Sequence, residues 1–226
     1  MFHDLINLFY PRLCSICEQE LVKNEPVICA KCIHDLPVTT YHLNNENPVK
    51  KVFYGRVEVE NATALLEFHK KSGVQKLIHQ LKYKGQQEIG TFLGQWMAAQ
   101  ILENSTFPGV EMVIPVPLHR KKLKHRGYNQ VEKFGREISL ALQMPYIDTA
   151  LVKKSFSSTQ TIKARLARWG NMEESFVLAD PGVVANRHIL LVDDIITTGA
   201  TLEACASVLK EAGGVKISVA TMAIAW

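Results

Sequence analysis

The chain has 226 residues, of which 47% are hydrophobic, and this is enough for one main globular domain with a small accessory one. No apolar run reaches the roughly 18 residues of a membrane-spanning helix, and residues 1–5 lack the basic start of a secretory signal, so we expect a cytoplasmic protein without a membrane span. The net charge of +4 permits an anionic small molecule or a nucleic acid as a partner and demands neither.

Four of the five cysteines lie near the start of the sequence, as two C-x2-C pairs: Cys14, Cys17, Cys29 and Cys32. Two such pairs supply the four thiolates of a tetrahedral Zn²⁺ site. Disulfides are the weaker alternative in a reducing compartment, and a redox site needs one pair rather than two. Since the protein would fill all four coordination positions, the predicted zinc is structural, and residues 1–45 form a zinc-binding module.

The rest of the chain, residues 46–226, forms the second predicted domain. Asn44–Pro48 has the composition of a linker, and β-rich segments over 52–70 predict a hairpin that turns near Glu60–Asn61. Hydrophobic periodicity then predicts, in chain order, helices at 72–83 and 86–102, a strand at 112–116, a helix at 127–142, a strand at 189–192, a helix at 202–212 and a strand at 215–224. This alternation is typical of a parallel α/β sheet flanked by helices.

A cluster of basic residues follows the strand at 112–116 and extends over residues 119–126. Because ligands of α/β sheets bind beyond the carboxyl ends of the strands, this cluster is placed where it would meet a bound anion. The cations suit a pyrophosphate or the phosphates of a nucleic acid, and the sequence does not separate the two. The remaining interpretation is a solvated basic loop, which is what most runs of charge are.

The most informative segment is Ile189–Thr201, in which an apolar strand runs into Asp193 and Asp194 and then into a loop of hydroxyl residues and glycine. The strand places both carboxylates at the ligand-binding edge of the sheet, where they suit sugar hydroxyls or a hydrated Mg²⁺. Behind them, free N–H groups at Thr198–Thr201 open a helix and favour a phosphate. A sugar phosphate satisfies both features, although each part taken singly is also compatible with a helix cap or an ordinary turn.

The whole segment resembles the phosphoribosyl pyrophosphate-binding loop of the type I phosphoribosyltransferases. That pattern is an apolar strand, Asp-Asp, two apolar residues, Thr-Thr-Gly, a small residue and Thr, and every position is matched between Ile189 and Thr201. The resemblance implies a Rossmann-like parallel sheet flanked by helices, to which the four-cysteine zinc module is attached at the N-terminal side.

Three further motifs narrow the resemblance to the ComF family, which comprises competence-associated phosphoribosyltransferase-like proteins of bacteria related to the GntX group. The first is Val116–Gln130, which ends in Arg-Gly-Tyr-Asn-Gln. The second is Phe9–Cys17, which resembles the start of the family's zinc knuckle, the segment that holds the first C-x2-C pair. The third is Thr159–Phe176, which resembles the family's mobile loop. The motifs stand in the family's order and cover nearly the whole chain. The sequence departs from the family pattern at Tyr10, Lys163 and Leu166–Ala167, which leaves the fine behaviour of the mobile loop open.

The resemblance assigns expected roles to individual residues. Asp193 and Asp194 would contact the ribose 2- and 3-hydroxyls, directly or through Mg²⁺. The loop that wraps the 5-phosphate would consist of Ile196, Thr197, Thr198, Gly199, Ala200 and Thr201. The residues expected at the pyrophosphate are Arg120, Lys121, Lys122 and Arg126. Arg165 and Arg168 would close over the site from the mobile loop, with an ordinary surface helix as the alternative.

Two functions fit these expectations. The first is a phosphoribosyltransferase, in which an acceptor displaces pyrophosphate at ribose C1 while Mg²⁺ and the basic segment stabilise the leaving group. The second is a non-catalytic protein that keeps the sugar-phosphate pocket as a sensor and binds single-stranded DNA through the basic segment and the zinc module. The family's association with DNA uptake makes phosphoribosyl pyrophosphate, single-stranded DNA and other competence proteins the expected partners. No acceptor is recognisable, and residues 1–105 would have to supply the hood that binds one.

Overall fold

Four apolar segments pair side by side as a parallel sheet in the computed structural model, which describes residues 11–104, 107–154 and 176–226. The strands are β1 (Ala62–Phe68), β2 (Met112–Pro115), β5 (His188–Ile196) and β6 (Lys216–Ala225), in the spatial order β1-β6-β5-β2. A separate antiparallel pair consists of β3 (Leu151–Lys153) and β4 (Phe176–Leu178). All three contacts of the main sheet are parallel, so the carboxyl ends of its strands share one edge.

The helices lie on both faces of this sheet. Within the described residues they are α1 (Ala30–His34), α2 (Pro48–Lys51), α3 (Gly73–Tyr83), α4 (Glu88–Asn104), α5 (Arg120–Arg126), α6 (Glu132–Ala141), α7 (Pro181–Val184) and α8 (Ala200–Lys210), with a 3-10 turn at Tyr41–Leu43. Helices α3, α4 and α6 bury Leu77, Met97 and Phe134 in one core. Helix α8 buries Leu202 and Leu209 in the other core, on the opposite face. A sheet covered on both faces requires the nearly continuous apolar strands that the sequence contains.

Both outer edges of the main sheet are covered by neighbouring segments. Beside β1, the Thr39 N–H donates to the Leu65 carbonyl at 2.9 Å and the Glu67 N–H donates to the Pro37 carbonyl at 2.9 Å. Beside β2, Val113 exchanges two backbone hydrogen bonds with Pro145 and Ile147, each of 2.9 Å. The segment before residue 45 is therefore bonded directly to β1, while the division of the chain after residue 45 stays a prediction.

The predicted parallel sheet is confirmed, but one predicted element is wrong and one is shorter than predicted. The hairpin near Glu60–Asn61 does not form, because β1 pairs with the distant β6 and residues 52–56 are turns. The helix predicted at 127–142 forms as α6 but begins only at Glu132, since Gly127 adopts a left-handed φ of +84° that ends the preceding helix α5. The basic residues at 120–126 form that separate short helix rather than a loop.

Within the described part of the chain, no helix is both long enough and apolar enough to cross a bilayer.

Candidate functional site

The carboxylates of Asp193 and Asp194 lie near the end of β5, inside the strand rather than after it. Both residues are buried, with only 9% and 6% of their surfaces exposed. The Asp194 N–H donates to Asp193 Oδ1 at 2.8 Å. Burial and the neighbouring Asp194 carboxylate raise the pKa of Asp193 to about 8. Two acidic groups held so close inside the protein are poised to receive hydroxyl donors or a cation.

Lys82 supplies a cation to this pair, and our sequence interpretation missed it. Its Nζ lies 2.9 Å from Asp194 Oδ2, and its side chain is 21% exposed. Lys82 stands in the last turn of α3, one turn after the buried Ile78 and beside the buried Leu81. A lysine on the buried stripe of an amphipathic helix is the signal that could have revealed it, because such a side chain must find a partner inside the protein.

The loop after β5 encloses a small cavity at the N-terminus of α8. The cavity has a volume of about 40 Å³ and is lined by Asp193, Ile195, Ile196, Thr197, Thr198, Gly199, Ala200, Thr201 and Leu202. Gly199 precedes the helix with a φ of +73°, and a Cβ at this position would lie 2.5 Å from Val52 Cγ1. Only glycine fits this turn, which directs the first N–H groups of an 11-residue helix toward the cavity. The structure thus brings the predicted phosphate-binding residues together beside Asp193.

Arg56 fastens this loop from the segment that precedes β1, and our sequence interpretation missed it as well. Its guanidinium donates to the Thr198 carbonyl through Nη1 and pairs with Glu203 of α8 through Nη2. One planar side chain therefore holds both the loop and the helix behind it. The two partners lie more than 140 positions away along the chain, so no local pattern pointed to them.

The basic residues predicted at the pyrophosphate fall into two groups on α5, which follows the carboxyl end of β2. Arg120, Lys121 and Lys122 are exposed, and none of them forms an ion pair within the described residues. Arg126 is half-buried: its guanidinium lies 5.5 Å from the centre of the Tyr83 ring and donates to Gln130. Arg165 and Arg168 lie outside the described residues.

The segment after α5 ties the basic helix to its neighbours. The Tyr128 hydroxyl donates to the Leu81 carbonyl, and Asn129 Nδ2 donates to the Val116 carbonyl at 3.0 Å. The end of α5 therefore lies against the turn of α3 that carries Lys82.

The four clustered cysteines have the geometry of a metal site. Their sulfur atoms all lie within 4.8 Å of one another, and the Sγ atoms of Cys17 and Cys29 are 3.7 Å apart. Thiolates bound to one zinc at about 2.3 Å stand about 3.8 Å apart, whereas a disulfide bond is about 2.0 Å long. Burial opposes ionisation of Cys14, but backbone N–H groups at Cys17, Cys29 and Ile16 outweigh it and lower its pKa to about 6. In contrast, burial and the other three thiols raise the pKa of Cys32. Four thiols in this arrangement ionise together only beside a cation, so the residues fit a structural zinc.

The cysteine cluster is attached directly to α3. Lys76 Nζ donates to the Ile16 carbonyl at 2.8 Å, and Gln80 Nε2 donates to the Ser15 carbonyl. Gly73 lies so close that a Cβ there would be 3.1 Å from the Ile16 side chain. The first knuckle and the helix that carries Lys82 are therefore packed together.

Comparison with known proteins identifies the family. Residues 133–224 match the Phosphoribosyl transferase domain, a region that includes both aspartates and the loop after β5. The DNA utilization protein YhgH of Shigella flexneri is 26% identical over 210 residues, which cover 92% of this chain and 88% of the relative. Competence protein F of Haemophilus influenzae is 27% identical over 216 residues with the same coverage. Competence protein ComFC of Streptococcus pneumoniae is 35% identical over 100 residues, which cover 44% of this chain and 42% of the relative.

Together, the matched domain and these relatives support a ComF-family phosphoribosyltransferase-like protein. The family and the type I phosphoribosyltransferase fold predicted from the sequence are thereby confirmed. The domain match begins after α5, so Lys82, Arg56 and the cysteine cluster all lie outside it. The four cysteines were predicted from their spacing, whereas the contacts of Lys82 with Asp194 and of Arg56 with Thr198 became apparent only from the folded chain.

Proposed function

We propose that this ComF-family protein binds phosphoribosyl pyrophosphate together with Mg²⁺. The observation that carries the proposal is the continuity of β5, the loop and α8. A buried carboxylate pair for sugar hydroxyls passes directly into a phosphate-sized cavity at a helix N-terminus. Asp193 lines that cavity, so one ligand that holds a ribose and a phosphate on adjacent atoms would engage both parts.

The same residues fit a magnesium ion. Asp194 Oδ2 is buried and has no partner of good hydrogen-bond geometry among the described residues, although Lys82 lies beside it. A bound Mg²⁺ would neutralise charge on the pyrophosphate. The chain itself would orient the ribose through Asp193 and Asp194 and hold the 5-phosphate on the N–H groups at Thr198–Thr201. If transfer occurs, the bond from C1 to pyrophosphate breaks, an acceptor forms the new bond at C1 and the acceptor loses a proton.

We further propose that the protein has a role in DNA uptake and that it acts in the cytoplasm. The names of the relatives, a DNA utilization protein and two competence proteins, support this role. The five cysteines all lie within the described residues and form no disulfide bond there, which suits a reducing compartment. A second candidate function, binding of single-stranded DNA without catalysis, is favoured by the exposed cations of α5, which are available for backbone phosphates.

Titration calorimetry of the zinc-loaded protein with phosphoribosyl pyrophosphate, with and without Mg²⁺, tests the main proposal. We expect micromolar binding that needs Mg²⁺ and that disappears in the double variant Asp193→Asn, Asp194→Asn, because the ribose hydroxyls and Mg²⁺ would lose both carboxylates. The double variant Asp35→Asn, Asp148→Asn makes the same change of charge at exposed positions and should bind normally. Absence of binding to the wild-type protein would overturn the proposal and make single-stranded DNA the next ligand to titrate.

A further inference from the structure

Lys82 is held in place from both sides. The residue before it, Leu81, accepts a hydrogen bond from the Tyr128 hydroxyl through its carbonyl oxygen. The residue after it, Tyr83, stacks beneath the Arg126 guanidinium at 5.5 Å. One contact holds the backbone at Leu81 and the other holds the ring of Tyr83, and between them the Lys82 ammonium lies 2.9 Å from Asp194 Oδ2. Both residues that make these contacts, Arg126 and Tyr128, come from the Arg-Gly-Tyr-Asn-Gln segment.

The ammonium stands on the other face of the sheet from the phosphate cavity. Helix α3 belongs to the core on one face, and α8, whose N-terminus forms the cavity, belongs to the core on the opposite face. The carboxylate pair lies on β5 between them. A ligand with anionic groups at both ends of a ribose, laid across Asp193 and Asp194, would have one end at α8 and the other end toward α3.

Charge supports this placement. A buried Asp194 carboxylate would repel a phosphate that approaches it, and the adjacent Lys82 ammonium offsets that repulsion. The Lys82 ammonium carries three N–H donors, and the ion pair with Asp194 engages one direction only. The other donors of the ammonium are available to a ligand, and the segment that follows the basic helix α5 contacts the neighbouring Leu81.

We propose that Lys82 binds the pyrophosphate group at ribose C1, and that Arg126 and Tyr128 are positioning residues for it. This inference rests on the proposed binding of phosphoribosyl pyrophosphate and assigns the anion contact to a residue outside the basic helix. The exposed cations of α5 then serve as a second, outer layer of positive charge.

Ligands that differ only in the pyrophosphate group test the assignment. The zinc-loaded full chain, in the presence of Mg²⁺, is titrated with phosphoribosyl pyrophosphate, ribose 5-phosphate and inorganic pyrophosphate. We expect Lys82→Met to lose about tenfold or more in affinity for the two ligands that contain pyrophosphate and to keep its affinity for ribose 5-phosphate within about twofold. Lys82→Arg should restore part of the loss. Lys84→Met removes the same charge from an exposed position two residues away and should bind all three ligands normally.

Three results would overturn the assignment. Equal losses for ribose 5-phosphate and phosphoribosyl pyrophosphate would show that Lys82 only supports the aspartates. Unchanged binding would show that it touches nothing in the ligand. Tighter binding by Lys82→Met would show that the ammonium merely stands where Mg²⁺ belongs. A wild-type protein that binds none of the ligands would instead remove the proposed function itself.

A second variant keeps the test informative if Lys82→Met does not fold, as judged by its thermal unfolding and zinc content. Tyr128→Phe deletes one hydroxyl and frees the Leu81 carbonyl. This variant should bind phosphoribosyl pyrophosphate more weakly, with a smaller loss of affinity for ribose 5-phosphate, as expected for Lys82→Met. An equal effect on both ligands would contradict the positioning role.

Discussion

At the scale of single residues, the burial of Asp193 makes the stability of the folded chain depend on pH. Its carboxyl group is buried beside a second carboxylate, which raises its pKa from 3.8 to about 8. Between these two values the folded protein binds a proton that the unfolded chain releases. The contribution of this group to stability is therefore present at low pH and is lost as the pH rises through about 8.

Replacing Asp193 should remove that pH dependence. We expect the free energy of unfolding of Asp193→Asn to exceed that of the wild-type protein by a margin that grows by about 3 kcal/mol between about pH 6 and about pH 9. The measurement is urea unfolding of the zinc-loaded protein without Mg²⁺ across this range. Asp35→Asn, at an exposed position, should show no such trend. A margin that is constant with pH would mean that Asp193 is ionised throughout.

At the scale of elements, the loop after β5 is held by the turn that precedes β1, the strand at one edge of the sheet. Arg56 joins the turn before β1 to the Thr198 carbonyl and to Glu203 at the start of α8. A second ion pair, between Lys210 Nζ and Glu58 Oε2 at 3.2 Å, joins the same two regions at the far end of the helix. The Arg56 contact lies at the cavity, whereas the Lys210 contact lies away from it. We therefore expect only the loss of Arg56 to change ligand binding.

Loss of Arg56 should weaken the binding of the 5-phosphate. We expect Arg56→Met to lose about tenfold in affinity for ribose 5-phosphate, because the Thr198 carbonyl loses its donor and the loop its fixed geometry. Arg56→Lys should not restore binding, since an ammonium cannot reproduce the two contacts of the guanidinium. The matched control, Lys210→Met, should bind ribose 5-phosphate normally in the same calorimetric titration. Equal behaviour of the Met variants would contradict the role given to Arg56.

The elements also show where sequence reasoning succeeds and where it ends. Strand β5 and helix α3 were predicted because their apolar residues recur at a period that local geometry dictates. The hairpin near Glu60–Asn61 was wrong because a strand pattern does not reveal its partner, which for β1 is β6. The site shows the same division. Asp193 and Asp194 stand in one contiguous motif on β5. Lys82 reaches Asp194 from the distant helix α3, and no sequence motif indicates this contact.

At the scale of the whole molecule, the cysteine cluster and the carboxylate site are linked through one helix. The knuckle around Cys14 and Cys17 is bonded to Lys76 and Gln80 on α3. The last turn of the same helix delivers Lys82 to Asp194. Because an apo zinc module is poorly folded, loss of the metal would loosen the helix at its first turns and disturb the ion pair at its last.

Removal of zinc should therefore impair ligand binding at a distance. We expect a strong chelator, followed by its removal, to lower the midpoint of thermal unfolding by at least about 5 °C. In the presence of Mg²⁺, the same treatment should lower the affinity for phosphoribosyl pyrophosphate more than the affinity for ribose 5-phosphate. Addition of Zn²⁺ should restore both properties, which separates loss of metal from irreversible damage. Unchanged binding by the metal-free protein would show that the two sites are independent.

The central position of β6 has a consequence for how the protein is made. This strand lies between β1 and β5, yet it is the last of the four to leave the ribosome. Until β6 is synthesised, β1 has no link to the rest of the sheet, and its apolar residues Ala64–Leu66 lack the strand with which they pair. Pairing across such long stretches of chain is slow, and unpaired apolar strands are prone to aggregate. The nascent chain is therefore most vulnerable just before translation reaches Ala225.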